Sequence, residues 1–212
     1  MITLWGRLTS SNVQAAAWAL AELGLAFERI DAGGKFGGLD TPDYRAMNPN
    51  GKIPVLRDDA VTLWESAVIV RYLAARHGDA VFWPTDLARR AELDMWGEWI
   101  KTTWTPVMQA GIFWSLIRTP AAQRDPERLA ALVGEAGALA AMLDARIGDG
   151  PWLGGADFTF GDVMVGHLLY RYYTLEFDRT ATPALDAYYA RLTERPAYRD
   201  WVMVSYDGLR VE

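Results

Sequence analysis

Three polar residues that could bind an anion stand together near the N-terminus, in the stretch RLTSSNVQAA: Ser10, Ser11 and Asn12. A strand-like apolar run precedes them, and an alanine-rich helical pattern follows them. Their side-chain oxygens could simply cap the helix, because such residues accept hydrogen bonds from the free N–H groups of a first turn. Capping is the commoner role for such residues, but a functional interpretation is also open, since a helix N-terminus favours a negatively charged ligand.

A second pair of candidates, Glu65 and Ser66, begins another helical pattern in the stretch LWESAVIV. One interpretation is structural: the pair caps the helix and complements its dipole. In the other, the helix N–H groups and the serine hydroxyl bind a carboxylate, while Glu65 binds a cationic amine on the same ligand. A carboxylate and an ammonium group together form the head group of an α-amino acid.

The stretch NPNGKIPVL places Pro54 at the start of a strand, where its missing N–H does not interrupt a ladder. If the Ile53–Pro54 bond is cis, the bend leaves the backbone N–H and C=O of Ile53 free to pair with an extended peptide. Lys35, in a glycine-rich loop, and Lys52 could bring positive charge to a second carboxylate, although most lysines are simply solvated. The glycine-rich loop lacks the phosphate-loop pattern.

The elements that must position these residues follow the order β-α-β, an irregular turn, then β-β-α. Two strands joined through a helix should be parallel, connected by a right-handed crossover. Asp58 and Asp59 predict a tight turn between the last two strands, which should form a hairpin. The predicted strands are 2–5, 26–31, 53–57 and 61–63, and the predicted helices are 13–23 and 66–77, with a short helical turn at 44–47.

Helical periodicity replaces the strand pattern in the rest of the chain. The predicted helices are 86–116 with an interruption at Pro106, 126–147, one from a capping box at Thr159–Asp162 to about residue 173, and two that begin at Pro183 and Pro196. We therefore predict an α/β domain at 1–78, a linker at 79–88 and an all-helical domain at 89–212.

Composition excludes several classes of function. The 212 residues carry a net charge of −6, which argues against nucleic acid or an anionic membrane surface as the main partner. Cysteine is absent and the two histidines are far apart, so no metal site is expected. The N-terminus lacks the features of a signal peptide and no apolar run is long enough to span a membrane, which favours a cytoplasmic protein.

Taken in this order, the motifs resemble the glutathione S-transferase superfamily over nearly the whole chain. The resemblance implies a thioredoxin-like N-terminal domain followed by an all-α C-terminal domain, and a homodimer. It also implies glutathione as the co-substrate, bound by the residues that match K-I-P and E-S, which are Lys52, Ile53, Pro54, Glu65 and Ser66. The stretch FTFGD matches the capping box of the family's helical domain.

In this family the first strand–helix junction holds the residue that faces the glutathione sulfur, which is tyrosine, serine or cysteine in different classes. Here no tyrosine lies near the junction, so the pattern is similar to the serine-type and asparagine-using bacterial classes. We expect Ser10 to donate a hydrogen bond to the thiolate first, then Ser11, with Asn12 as a second donor. Arg7 could add positive potential near the sulfur, or form only a surface ion pair.

The resemblance further implies a pocket for an electrophile between the two domains. Besides Arg7, one face of the first long helix could line it, although the same residues could be plain helix core: Trp96, Trp99, Ile100, Thr103, Trp104 and Val107. The co-substrate would then be a small apolar electrophile that is conjugated, dehalogenated, isomerised or reduced. The alternative is a non-catalytic member of the same fold that carries ligands or binds proteins. Glutathione binding would discriminate the two.

Overall fold

The computed structural model describes residues 1–211, which form a four-stranded sheet and a set of helices. The strands are β1 (Ile2–Trp5), β2 (Phe27–Ile30), β3 (Val55–Asp58) and β4 (Val61–Trp64), in the order β2-β1-β3-β4. β1 is parallel to β2 and antiparallel to β3, and β3 and β4 form a hairpin. The predicted parallel pairing of the first two strands and the predicted hairpin are therefore both confirmed.

Three helices accompany the sheet: α1 (Ser11–Glu22), α2 (Pro42–Met47) and α3 (Ser66–His77). α1 and α3 pack against each other, and the alanines on α1 keep the helices close. As a result, the first turn of α1 and the first turn of α3 lie side by side, next to the end of β1. The two polar stretches at these helix starts are thereby brought together.

The predicted turn at Asp58 and Asp59 is displaced by one residue. Asp58 pairs with Val61 as the last residue of β3, so the turn consists of Asp59 and Ala60. The Asp58 carboxylate is buried, accepts a hydrogen bond of 2.9 Å from the Tyr72 hydroxyl and forms an ion pair of 3.2 Å with Arg76. These partners on α3 explain why an aspartate that looks like a turn residue lies inside the protein.

The rest of the chain is helical. It comprises α4 (Leu87–Trp99), two segments of wide π-helical turns that continue it (Ile100–Trp104 and Pro106–Arg118), α5 (Pro126–Ile147), α6 (Phe160–Gly166), α7 (Leu169–Thr174), α8 (Pro183–Glu194) and α9 (Pro196–Trp201). The predicted interruption of the helix at Pro106 is not seen, because the wide turns accommodate a residue that has no N–H to donate. The helix predicted from 159 to 173 is two helices instead. The Tyr198 hydroxyl donates to the carbonyl of Gly166, at the end of α6.

Both halves of the chain contribute to one hydrophobic core. Trp18 of α1 is fully buried, and its ring packs against Phe158 and Tyr198 at centroid distances of 5.8 Å and 4.8 Å. An ion pair of 2.7 Å between Glu22 and Arg195 joins the same two regions. Within residues 1–211, none of the helices is long and apolar enough to cross a membrane.

Candidate functional site

The junction between β1 and α1 holds a helix N-terminus that no side chain caps. Ser10 is the N-cap residue, with extended backbone angles, but its side chain makes no capping hydrogen bond. Capping alone therefore does not explain the polar stretch. Ser10 is half-buried, Ser11 is buried and Asn12 is exposed, and all three line a cavity of about 200 Å³. The free N–H groups of the first turn and the serine hydroxyl favour an anion there.

The start of α3 adjoins this junction through Lys101, which the sequence did not single out. The Lys101 ammonium donates to the Asn12 side-chain oxygen and to the Ser66 hydroxyl, at 2.7 Å in each case. The Ser66 hydroxyl in turn donates to the Asn12 oxygen at 3.2 Å. A residue of the helical half thus connects two of the predicted site residues from the sheet half.

The pKa of the Lys101 ammonium is low for a lysine. Burial of its ammonium lowers the pKa to about 8, while the nearby carboxylates of Glu65 and Glu98 act in the opposite direction. Glu65 precedes α3 with a φ of 70°, a left-handed conformation that is unfavourable for a residue other than glycine. Strained residues of this kind concentrate at functional sites.

The chain bends just before β3, at the bond that the sequence suggested as a possible cis bond. The Ile53–Pro54 bond is cis. The carbonyl of Lys52 accepts hydrogen bonds from the Tyr44 hydroxyl (2.9 Å) and from the Asn48 side-chain amide (2.8 Å), which hold the bend in place. Within residues 1–211, the backbone N–H and C=O of Ile53 have no hydrogen-bond partner. The side chains of Lys35 and Lys52 are both exposed.

The cavity at the junction is lined mainly by residues that the predicted pocket did not include. Besides Arg7 and residues 9–12, they are Gln109, Phe113, Trp114, Arg118, Arg171 and Leu209. A larger cavity of about 540 Å³ shares Arg7 and Arg118 with it and extends to Lys35. Of the predicted pocket residues, only Arg7 lines either cavity.

The other predicted pocket residues lie on the preceding turns of the same long helix. Ile100 and Trp104 are fully buried in the core and Val107 is nearly so, which leaves them little or no surface for a ligand. Thr103 is half-buried, and the rings of Trp96 and Trp99 pack edge to face at 5.1 Å. The helix core interpretation therefore fits these residues better. The wide turns that follow bring Gln109, Phe113 and Arg118 to the cavity instead.

No group of three or more histidine, cysteine, aspartate or glutamate residues among positions 1–211 could hold a metal ion. The donors at the site are instead hydroxyl, amide, ammonium and guanidinium groups, together with backbone N–H groups. These groups bind anions.

The chain is similar to known proteins over most of its length. The family model "Glutathione S-transferase, N-terminal domain" matches residues 1–75, and "Glutathione S-transferase, C-terminal domain" matches residues 126–191. The chain is 43% identical over 206 residues to glutathione S-transferase GstB of Escherichia coli, covering 96% of this chain and 99% of that protein. It is 31% identical over 213 residues to glutathione S-transferase 3 of Zea mays, covering 95% and 93% of the two chains.

Among solved structures, the chain is similar to the theta class glutathione S-transferase of the citrus canker pathogen Xanthomonas axonopodis pv. citri, determined with glutathione bound. The TM-score is 0.90 at 46% identity, covering 96% of this chain and 98% of that one. The apo form of the same protein gives a TM-score of 0.84.

Proposed function

The chain belongs to the glutathione S-transferase family and is a glutathione transferase, and we propose that Ser10 stabilises the thiolate of its glutathione. One observation carries the proposal: the Ser10 side chain lies at an uncapped helix N-terminus that lines a cavity. Its hydroxyl hydrogen can be donated to the sulfur, since a capping side chain would use only the oxygen, as an acceptor. Ser11 and Asn12, on the same cavity, are the second and third candidates.

The groups at the site can supply the free energy that stabilisation of a thiolate requires. A free thiol has a pKa of about 8.5, and lowering it by two units takes about 2.7 kcal/mol of preference for the anion. One hydrogen bond to a charged group contributes about 1.5–3 kcal/mol, and a helix N-terminus adds up to about 1 kcal/mol. The serine therefore acts as a hydrogen-bond donor, and the glutathione sulfur is the nucleophile.

The start of α3 binds the γ-glutamyl head group of glutathione in this proposal. The ligand carboxylate accepts from the Ser66 hydroxyl and from the backbone N–H groups of the first turn, and the ligand ammonium pairs with Glu65. Lys101, whose ammonium is 2.7 Å from the Ser66 hydroxyl, adds a positive charge next to that carboxylate. The peptide backbone of glutathione pairs with Ile53, and Lys35 and Lys52 attract its second carboxylate.

The test compares Ser10→Ala, Ser11→Ala and Asn12→Ala with Thr193→Ala, which removes a hydroxyl group on α8, outside the residues that line the cavity. The pKa of the bound thiol is read from the pH profile of kcat/KM for an aryl halide. Loss of one such hydrogen bond should raise this pKa by about one to two units. We expect the rise in Ser10→Ala, and wild-type rates in all three site variants would refute the mechanism.

The non-catalytic alternative receives no support from the relatives, which are named as transferases. We also propose three further properties of the protein, each of which is tested separately. They are the division into domains at 1–78 and 89–212, a cytoplasmic location that cell fractionation would test, and a homodimer. Val68 of α3 and Met95 of α4 are exposed apolar side chains that a second subunit could cover. Light scattering that gives the monomer mass of 23.6 kDa would contradict the dimer.

A further inference from the structure

Three arginines that form no ion pair within the described residues surround the cavity beside Ser10. Arg7 comes from the end of β1, Arg118 from the end of the wide-turned helix and Arg171 from α7, and all three line the same cavity. Within residues 1–211, none of the ion pairs includes any of them. Three positive charges therefore converge on one cavity, and none of them forms an ion pair with a carboxylate of residues 1–211.

Arg171 is the most constrained of the three. It is 5% exposed, and its guanidinium donates to the Gln109 side-chain oxygen (2.6 Å) and to the carbonyl of Thr9 (2.7 Å). It also lies over the ring of Phe113 at 4.2 Å. These neutral partners accept two hydrogen bonds from Arg171 and hold it in place. No ion pair within residues 1–211 compensates its charge, which is unfavourable for a buried ion.

The arginines also act on one another. Burial, followed by the charges of Arg7 and Arg118, lowers the pKa of Arg171 to about 9. Burial and the charge of Arg118 lower the pKa of Arg7 as well. The guanidinium groups of Arg171 and Arg7 are therefore less stable as cations here than in water. A bound anion would remove the repulsion.

We propose that the cavity binds an anionic group, a carboxylate or a similar oxyanion, on the electrophilic co-substrate. The inference rests on the proposed function, because it places the electrophile next to the thiolate at Ser10. Guanidinium groups bind carboxylates with paired hydrogen bonds, so the arginines would fix the orientation of the co-substrate as well as its charge. A negatively charged electrophile thus replaces the apolar one expected from the sequence.

A ring-chlorinated dinitrobenzoate and its neutral methyl ester form a matched pair of probes. In both, the glutathione thiolate forms a C–S bond at the carbon that bears chlorine, and chloride leaves with the electron pair of the C–Cl bond. The thiol proton is released to solvent. The two probes differ in charge and in intrinsic reactivity, and comparing the ratio of their rates among variants cancels the difference in reactivity.

The experiment measures kcat/KM for both probes in the wild type, Arg7→Gln and Arg118→Gln. Arg118 is exposed and makes no side-chain hydrogen bond within the described residues, so its replacement should not disturb folding. We expect the ratio of kcat/KM for the carboxylate to that for the ester to fall about tenfold in either variant, as for the loss of one hydrogen bond to a charged group. Arg128→Gln makes the same change of charge at an exposed position on α5 and should keep the wild-type ratio.

An unchanged ratio in both variants would overturn the inference. If the KM for glutathione were also raised in these variants, the arginines would be assigned to the peptide itself. Absence of conjugation with either probe in the wild type would instead contradict the proposed function, and the inference with it.

Discussion

Replacement of Lys101 by methionine should make the protein more stable at neutral pH while it weakens glutathione binding. In the folded protein the pKa of Lys101 is lowered from 10.5 to about 8. At about 1.4 kcal/mol per pKa unit, the charged lysine costs about 3 kcal/mol of folding free energy below pH 8. Methionine fills similar space without this cost.

The gain is reduced by the hydrogen bonds that the variant loses. Lys101 donates to the side-chain oxygens of Asn12 and Ser66, and each such bond contributes about 1 kcal/mol. The variant should therefore be more stable by about 1 kcal/mol at pH 7. Loss of the positive charge should weaken glutathione binding about tenfold, as for the loss of one charge-assisted hydrogen bond.

The sign of the difference should reverse at high pH. Between pH 8 and pH 10.5 the folded wild type has released the Lys101 proton, whereas the unfolded chain still binds it. More protons are bound by the unfolded state, so this contribution to wild-type stability rises with pH in that window. The methionine variant lacks the rise, and the two stability curves should cross.

Urea denaturation at pH 7 and pH 9.5, at one protein concentration, measures both stabilities, and calorimetric titration with glutathione measures binding. Lys52→Met is the matched control for stability, because it removes an exposed lysine and should change it by less than about 0.5 kcal/mol. A Lys101→Met variant that is less stable than the wild type by the same amount at both pH values would refute the reasoning.

Two other substitutions have defined outcomes. Glu65→Gly should relieve the left-handed strain at φ 70° and leave the free energy of unfolding equal or about 1 kcal/mol higher, while the affinity for glutathione falls. Glu65→Gln should lose the same affinity with no gain in stability. A glycine variant that is less stable than the wild type in urea denaturation would contradict the strain argument. Asp162→Asn should lower the free energy of unfolding by about 2 kcal/mol in urea denaturation. The buried carboxylate accepts hydrogen bonds from the N–H groups of Leu153 and Thr159 on its two oxygens, whereas an amide has only one oxygen to accept them. Unchanged stability would contradict this prediction.

Local signals predicted most of the elements, because those signals act within a few residues. Asp125 and Pro126 marked the start of α5, and its predicted end at Ile147 is the observed one. Glu65 and Ser66 likewise marked the start of α3. In such places the cap, the turn residue and the apolar period all depend on neighbours in the sequence.

The rest of the site depends on contacts between distant residues. Lys101 meets Asn12 across 89 positions, and Arg171 meets the carbonyl of Thr9 across 162. The wide turns after Trp99 also changed which residues of the long helix reach the cavity, and no local pattern distinguishes a π turn from an α turn there. For these reasons the sequence suggested Arg7 together with the tryptophan face, whereas Arg118 and Arg171 line the cavity beside Arg7.

The position of Trp18 has a consequence for how the protein unfolds. Its ring lies in the core of the helical half, although α1 belongs to the α/β half, and Glu22 near the end of α1 pairs with Arg195. Separation of the two halves would expose this ring and leave a void among Phe158 and Tyr198. Neither half therefore keeps a complete interior without the other, and the chain should melt as one cooperative unit rather than in two steps.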